Sequence, residues 1–197
     1  MNIYIDEAGV FVVPSKDRCS ISCVGGLVLP RQSVIKIFGD FCRLKESWGI
    51  KSDEVKGSRL SESQVNSLVT LLAQYDVIFH VVAIDMNKQS SKAISNHKFA
   101  QARNLTKNLT PEHKPGLIEG IKKLRNDLET LPSQLYVQAV CTFELVNDLL
   151  QTTTLYYAQR SPKELGDFKW YIDAKDKKVT PYEILWTTIV LPMIQSK

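Results

Sequence analysis

Alternating apolar and polar positions predict a sheet in the first part of the chain. Residues 2–6 are predicted to form the first strand. The apolar residues 3–5 are followed by the two carboxylates Asp6 and Glu7 and by a turn at Gly9, a pattern typical of a strand and its end. Residues 10–13 are predicted to continue this strand beyond a bend at Gly9. Residues 19–29 alternate and then become solidly apolar, which predicts a second strand antiparallel to the first.

Helical spacing of apolar residues follows the two strands. The apolar positions within residues 31–48 recur at intervals of three and four, and Gly49 stands where a C-terminal helix cap is expected. Ser61 is followed three residues later by Gln64, which is typical of a capping box. Two successive helices are therefore predicted after the first strand pair.

The second half of the chain alternates between strand and helix patterns. The β-branched run 77–84 predicts a buried central strand that ends at Asp85. Residues 92–157 are predicted to be mostly helical, with breaks at two prolines. Residues 167–173 predict another strand that ends on an acid, and the Thr-Pro pair at 180–181 is typical of a helix start. This order predicts one α/β domain with a mixed sheet.

Composition and cysteine spacing agree with the prediction of one α/β domain. The chain has 197 residues, of which 44% are hydrophobic and 23% charged, as expected for one globular domain. Its apolar runs are shorter than the roughly 18–20 residues that span a bilayer, so no membrane association is predicted. The four cysteines show neither a C-x-x-C pair nor zinc-like spacing, which favours reduced thiols in a cytoplasmic protein. No phosphate loop, dinucleotide fingerprint or nucleophile elbow is found.

The chemistry-bearing pattern is a strand closed by an aspartate, and it occurs at Asp6, Asp85 and Asp173. Ligands of α/β sheets usually bind beyond the carboxyl ends of the strands. Carboxylates that meet there could share Mg²⁺ or Mn²⁺, and two ions about 3.5–4 Å apart can support phosphodiester cleavage. Acids also commonly end strands for no chemical reason, and that simpler interpretation remains open for each aspartate.

Glu54 and Lys56 form a second candidate feature. They are two residues apart on a segment that is predicted to be extended, so their side chains face the same way. The acid could complete a metal site while the lysine engages a phosphate or orients a water molecule. A solvated loop is the commoner explanation of such a pair.

Three motifs together resemble a known family. They are residues 4–9 (Tyr-Ile-Asp-Glu-Ala-Gly), residues 54–58 (Glu-Val-Lys-Gly-Ser) and residues 171–176 (Tyr-Ile-Asp-Ala-Lys-Asp). The chain resembles the family catalogued as domain of unknown function 3800, whose hallmark is an N-terminal strand ending Asp-Glu-Ser/Ala-Gly with a downstream Glu-x-Lys-Gly. That family is grouped with the ribonuclease H-like superfamily, which contains largely Mg²⁺-dependent nucleases, integrases and resolvases.

The resemblance implies a fold and a site. The fold is a ribonuclease H-like mixed sheet flanked by helices, in one domain over 1–197, with a helical insertion at 92–165 between the later strands. The family continues to a helix carrying Gln-x-x-Asp, which is not found here, so this domain is expected to lack a C-terminal strand or helix with the last acidic ligand. The implied metal ligands and catalytic groups are Asp6, Glu54 and Asp173 with Lys56, and the second choices as ligands are Glu7, Asp85 and Asp176.

The activity implied is hydrolysis of nucleic-acid phosphodiester bonds with Mg²⁺ or Mn²⁺, with DNA and RNA both open. Residues 86–130 contain nine lysines and arginines against four acids, so this section could contact phosphates, although a solvated face is the commoner reason for such a run. Two other classes remain open. One is an inactive ribonuclease H-like module that binds nucleic acid or protein, and the other is an enzyme acting on a smaller phosphoester.

Overall fold

The computed structural model describes residues 1–15, 20–51, 54–172 and Trp186. Within this part of the chain, the strands and α-helices follow one another in the order ββααβαααβ. The strands are β1 Asn2–Ala8, β2 Ile21–Leu29, β3 Ile78–Asp85 and β4 Lys169–Ile172. The α-helices are α1 Val34–Ser47, α2 Glu62–Leu72, α3 Ser91–Leu105, α4 Pro115–Thr130 and α5 Ser133–Arg160.

The four described strands form one sheet in the order β3-β2-β1-β4. The residue after β3 donates to the residue before β2, from Met86 N to Ser20 O at 2.8 Å, so these two strands are antiparallel. At the first residue of β4, Lys169 N donates to Met1 O at 3.0 Å, so β4 starts beside the start of β1 and runs parallel to it. The prediction of an α/β fold with a mixed sheet flanked by helices is confirmed.

The position of β3 differs from the prediction. The run 77–84 was expected to be a buried central strand, but β3 lies at one end of the described sheet, so that prediction is wrong. Alternate side chains of β3 face outward, with Phe79 68% and Val81 42% exposed. β-Branched and aromatic residues favour a strand in either position, and a short apolar run does not reveal which of its faces is covered.

The predicted helix ends agree closely with the structure. Ser61 and Gln64 form the capping box before α2: Ser61 Oγ accepts from Gln64 N at 3.3 Å, and Gln64 Oε1 accepts from Ser61 N at 2.8 Å. Gly49 adopts a φ of +71° just beyond α1, as expected for a helix cap. The helix predicted over 31–48 is observed as a short 3₁₀ helix, Arg31–Ser33, that leads into α1.

The chain divides into two compact units. The first contains Met1–Ile5, Gly26–Phe79 and Gln151–Tyr171, and the second contains Asp6–Gly25, His80–Leu150 and Ile172–Lys197, as far as these are described. The core of the first unit includes the fully buried side chains Ile3, Val28 and Tyr157. The core of the second unit includes the fully buried side chains Val24, Met86, Leu145, Val146 and Leu149.

In the first unit, the amino terminus forms a buried ion pair with Glu164. The Met1 ammonium lies 3.1 Å from Glu164 Oε2, which also accepts from Arg31 N at 2.9 Å. The ammonium donates in addition to Asp167 O at 2.7 Å. Burial by itself would raise the pKa of Glu164, but hydrogen bonds from Arg31 N and from the ammonium outweigh it and lower the pKa below its ordinary value. This ion pair holds the start of β1 beside the segment that leads into β4.

None of the helices in the described ranges combines the length and the apolar character that a membrane crossing requires. Cys23, Cys42 and Cys141 are free thiols, while Cys19 lies outside the described residues. Burial is the main reason that the pKa of Cys141 rises to about 11, so this thiol stays protonated at neutral pH. The cytoplasmic location remains a prediction.

Candidate metal site

The strand directions bring three strand ends to one edge of the sheet. Gly9, just beyond β1, lies against Ser22 near the start of β2, so β2 is antiparallel to β1. Because β3 is antiparallel to β2, it runs in the same direction as β1 and β4. The carboxyl ends of β1, β3 and β4 therefore share one edge, which we call the carboxyl edge and define by Asp6, Asp85 and Ile172. All three residues belong to the second unit.

Asp6 is exposed at the carboxyl edge. Its neighbour Ile5 is buried, so the alternation of the strand directs the Asp6 side chain to the opposite face. Asp6 Oδ1 accepts a hydrogen bond from Glu7 N at 2.8 Å, the one hydrogen bond that the carboxylate makes to the described residues. Glu7 itself is half-buried. The second oxygen of Asp6 can therefore accept a ligand without breaking a bond of the described fold.

The chain turns sharply just after this acid. Gly9 has a φ of +99°, and a Cβ added there would lie 2.6 Å from Ser22 Oγ and 2.7 Å from Ser22 Cα, so only glycine fits. Phe11 is buried with a φ of 51°, which is unusual for an aromatic residue, and its N donates to Ser22 Oγ at 2.9 Å. This turn ends the strand at Ala8, so the predicted continuation over 10–13 is wrong.

Asp85 ends β3 but already has a local structural role. Its Oδ1 accepts from Asn87 N at 3.0 Å and caps the 3₁₀ helix Met86–Lys88. Lys88 Nζ lies 3.8 Å from Asp85 Oδ2. A purely structural role, without any chemical function, therefore explains Asp85 better than it explains Asp6.

The other predicted site residues fall in two groups. Glu54 and Lys56 are exposed in the segment before the 3₁₀ helix Gly57–Arg59 and belong to the first unit. The extended backbone of Lys56, with φ −76° and ψ 115°, agrees with the extended segment that was predicted. Asp173 and Asp176 lie outside the described residues, and Asp173 directly follows Ile172, the last residue of β4. The roles of all four residues stay predictions.

The donor chemistry of the carboxyl edge suits a hard cation. Asp6 and Asp85 offer carboxylate oxygens, which Mg²⁺ and Mn²⁺ prefer. Over the described ranges, however, no three histidine, cysteine, aspartate or glutamate side chains are grouped closely enough to hold a metal ion.

Two residues that support the site were not identified from the sequence. Ser22 is fully buried and holds the turn after β1, yet in the sequence it is one polar position in an alternating strand. Phe11 gives no sequence signal of a positive φ, because left-handed backbone is expected of glycine or asparagine. Both are positioning residues for the backbone that carries Asp6.

Comparison of this chain with protein-family models, with curated proteins and with solved structures finds no match.

Proposed function

We propose that this protein is a divalent-metal-dependent nuclease that hydrolyses nucleic-acid phosphodiester bonds at the carboxyl edge. The observation that carries the proposal is the shared direction of β1, β3 and β4. Their common edge gathers the exposed carboxylate of Asp6, the end of β3 and the residue that immediately precedes Asp173. Ligand sites of α/β sheets lie at such edges.

In this proposal Asp6 is the central ligand of Mg²⁺ or Mn²⁺. Asp173 is its first companion, while the ligand role of Glu54 and the phosphate role of Lys56 rest on the family resemblance alone. When bound, the cations would activate a water molecule and stabilise the leaving oxygen. The contribution of the chain is to hold Asp6 at a fixed position, because the turn at Gly9 and the Ser22 hydrogen bond immobilise the backbone that follows it.

An exposed stripe on α3 supports nucleic acid as the partner. Lys92, Asn96, Phe99 and Arg103 are spaced by four, three and four residues, so they lie along one helix face, and all four are exposed. Lys92 and Arg103 form no salt bridge with any residue that the structure describes, so their charges can meet phosphates. The exposed ring of Phe99 offers a surface on which a base can stack.

A cleavage assay tests the proposal. Oligonucleotides of one sequence, as single-stranded DNA, duplex DNA, RNA and DNA–RNA hybrid, are incubated with the protein in Mg²⁺, Mn²⁺ or chelator. We expect metal-dependent cleavage of at least one substrate and a loss of about 100-fold or more in Asp6→Asn. The matched control is Asp127→Asn on α4, which should cleave like wild type. Cleavage by Asp6→Asn at the wild-type rate would contradict the proposal.

A second candidate function is a catalytically inactive module that binds nucleic acid. It is favoured by one observation: the acids in the described part of the chain form no group of three that could hold a metal. This function predicts that oligonucleotides bind with salt-dependent affinity, that no substrate is cleaved, and that Asp6→Asn leaves binding unchanged. The same set of substrates therefore separates the two functions.

A further inference from the structure

A cavity lies between three helices of the second unit, and none of the residues proposed for catalysis is among the described residues that line it. It measures about 350 Å³ and is lined from α3, α4 and α5. A volume of this size is within the range of small-molecule sites. We call this cavity the helical pocket.

The body of the helical pocket is apolar. Leu105 contributes from α3, Leu124 and Leu128 from α4, and Val140 and Phe143 from α5. Side chains of this kind exclude charged or strongly hydrated groups and favour an apolar ligand body, because burying apolar surface is what stabilises the bound state. The pocket is therefore suited to a hydrocarbon or aromatic skeleton.

The polar groups of the pocket are already hydrogen-bonded where they are buried. Tyr136 is 4% exposed, and its hydroxyl lies 2.6 Å from His97 Nδ1. Burial raises the pKa of Tyr136 to about 12, so the phenol stays neutral at physiological pH. Gln101 Nε2 lies 3.4 Å from His97 Nε2. A ligand that enters the apolar part therefore leaves these hydrogen bonds in place.

The charge of the lining selects the ligand. Glu144 is the only Asp, Glu, Lys or Arg among the described lining residues, and it is exposed at the pocket. It makes no salt bridge with any residue in the described ranges. An anion would be repelled by this carboxylate, whereas a cation would be attracted and could keep its charged group in water while its body is buried.

We propose that the helical pocket is a binding site for a small organic cation, namely an amine with an apolar aromatic or branched aliphatic body. The apolar body occupies the space between Leu105, Leu128 and Val140, and the ammonium group lies at Glu144. This site is independent of the carboxyl edge, so it stands whether or not the protein cleaves nucleic acid.

The test uses three probes that share one body and differ in charge: para-tert-butylbenzylammonium, para-tert-butylbenzyl alcohol and para-tert-butylbenzoate. Binding is followed by the methyl NMR signals of leucine and valine during titration of the full chain. We expect saturable shifts of the Leu105, Leu128 and Val140 methyls with the ammonium. The alcohol should bind roughly two- to fivefold more weakly, as suits one exposed ion pair, and the benzoate should bind weakest.

Two kinds of variant make the test decisive. Glu144→Gln should reduce the affinity for the ammonium to that for the alcohol, while Glu119→Gln, an exposed glutamate on α4, should keep the wild-type preference. Ala139→Leu, or Val140→Leu if the first does not fold, fills the pocket and should weaken binding of all three probes. The proposal is overturned if no probe binds saturably, if the benzoate binds as tightly as the ammonium, or if either Glu144→Gln or the filled pocket leaves binding unchanged.

Discussion

The ends of β1 and β3 begin from the same sequence pattern and finish with different roles. In each strand an aspartate follows an apolar run, and both aspartates lie at the carboxyl edge of one sheet, although β3 ends at Asp85 and β1 continues to Ala8. At β3 the Asp85 carboxylate caps a 3₁₀ helix and lies near Lys88. At β1 the backbone is instead held by Gly9, Phe11 and Ser22, and the Asp6 carboxylate makes only the hydrogen bond to Glu7 N within the described residues.

The difference shows how an acid near the end of a strand can be assigned either a structural or a chemical role. An acid that caps a helix stabilises the fold and needs no ligand to explain it. An exposed acid, held on a backbone whose position other groups determine, contributes little to the fold and is therefore the better candidate for chemistry. Glu164 provides a third case, because its carboxylate is buried and its partners are the Met1 ammonium and Arg31 N.

The largest expected effect is at Glu164. Glu164→Gln should lower the free energy of unfolding by about 3 kcal/mol at neutral pH, because it leaves the Met1 ammonium buried without its anion. Urea denaturation measures this change, and the exposed Glu119→Gln serves as the matched control. A loss below about 1 kcal/mol would show that the ion pair is not essential to the fold.

The same residue predicts a pH dependence. The pKa of Glu164 is lowered in the folded state, so its contribution to stability is complete above the ordinary carboxyl pKa of about 4.3. That contribution is lost as the pH falls through the lowered folded-state pKa. Thermal melts between neutral pH and pH 3 should therefore show a smaller acid-induced loss of stability in Glu164→Gln than in wild type. Parallel curves for the two proteins would contradict the role of this carboxylate.

Gly9→Ala should lower the free energy of unfolding by about 2–3 kcal/mol. The new Cβ would overlap Ser22 and would adopt a φ of +99°. Gly49→Ala is the matched control, because it also has a positive φ of +71° but no atom within 4 Å of the added Cβ. It should cost only about 1 kcal/mol. Equal losses at the two positions would mean that the contact with Ser22 contributes nothing.

Ser22→Ala should lower the free energy of unfolding by about 1–2 kcal/mol. It removes the acceptor of Phe11 N and leaves a buried backbone donor without its partner. Because the turn holds the backbone after Asp6, this variant should also weaken metal binding although Ser22 is no predicted ligand. Denaturation and a Mn²⁺ titration of the same sample measure the two effects. An unchanged metal affinity would show that the turn does not contribute to metal binding.

The smallest stability effects compare the two aspartates directly. Asp85→Ala should cost about 0.5–1 kcal/mol, because it removes the cap of the 3₁₀ helix and the nearby partner of Lys88. Asp6→Ala should change stability by less than about 0.5 kcal/mol, as is usual for an exposed side chain. Urea denaturation of the two variants measures these changes. Equal losses in the free energy of unfolding would show that Asp85 and Asp6 contribute alike to the stability of the fold.

Local signals predicted much of the secondary structure. The capping box at Ser61, the helix cap at Gly49 and the strand end at Asp85 depend on side chains and turns within a few residues, so the sequence is informative about them. The first strand was predicted to end at Asp6, but it continues to Ala8. The edge position of β3 and the left-handed turn at Phe11 depend on contacts with residues distant in sequence, such as Ser22 with Phe11, and no local pattern encodes them. The same reason limits the prediction of Glu54 as a ligand, since its assignment requires long-range geometry.

The central claim is that Asp6, rather than Asp85, is the main metal ligand of the carboxyl edge. A Mn²⁺ titration followed by amide NMR tests it most directly, because the paramagnetic ion broadens only the signals near its binding site. We predict saturable broadening of the amides of Asp6, Glu7 and Ile172, which disappears in Asp6→Asn and persists in Asp85→Asn. Broadening that survives Asp6→Asn, or that is absent from these amides in the wild-type protein, would contradict the claim.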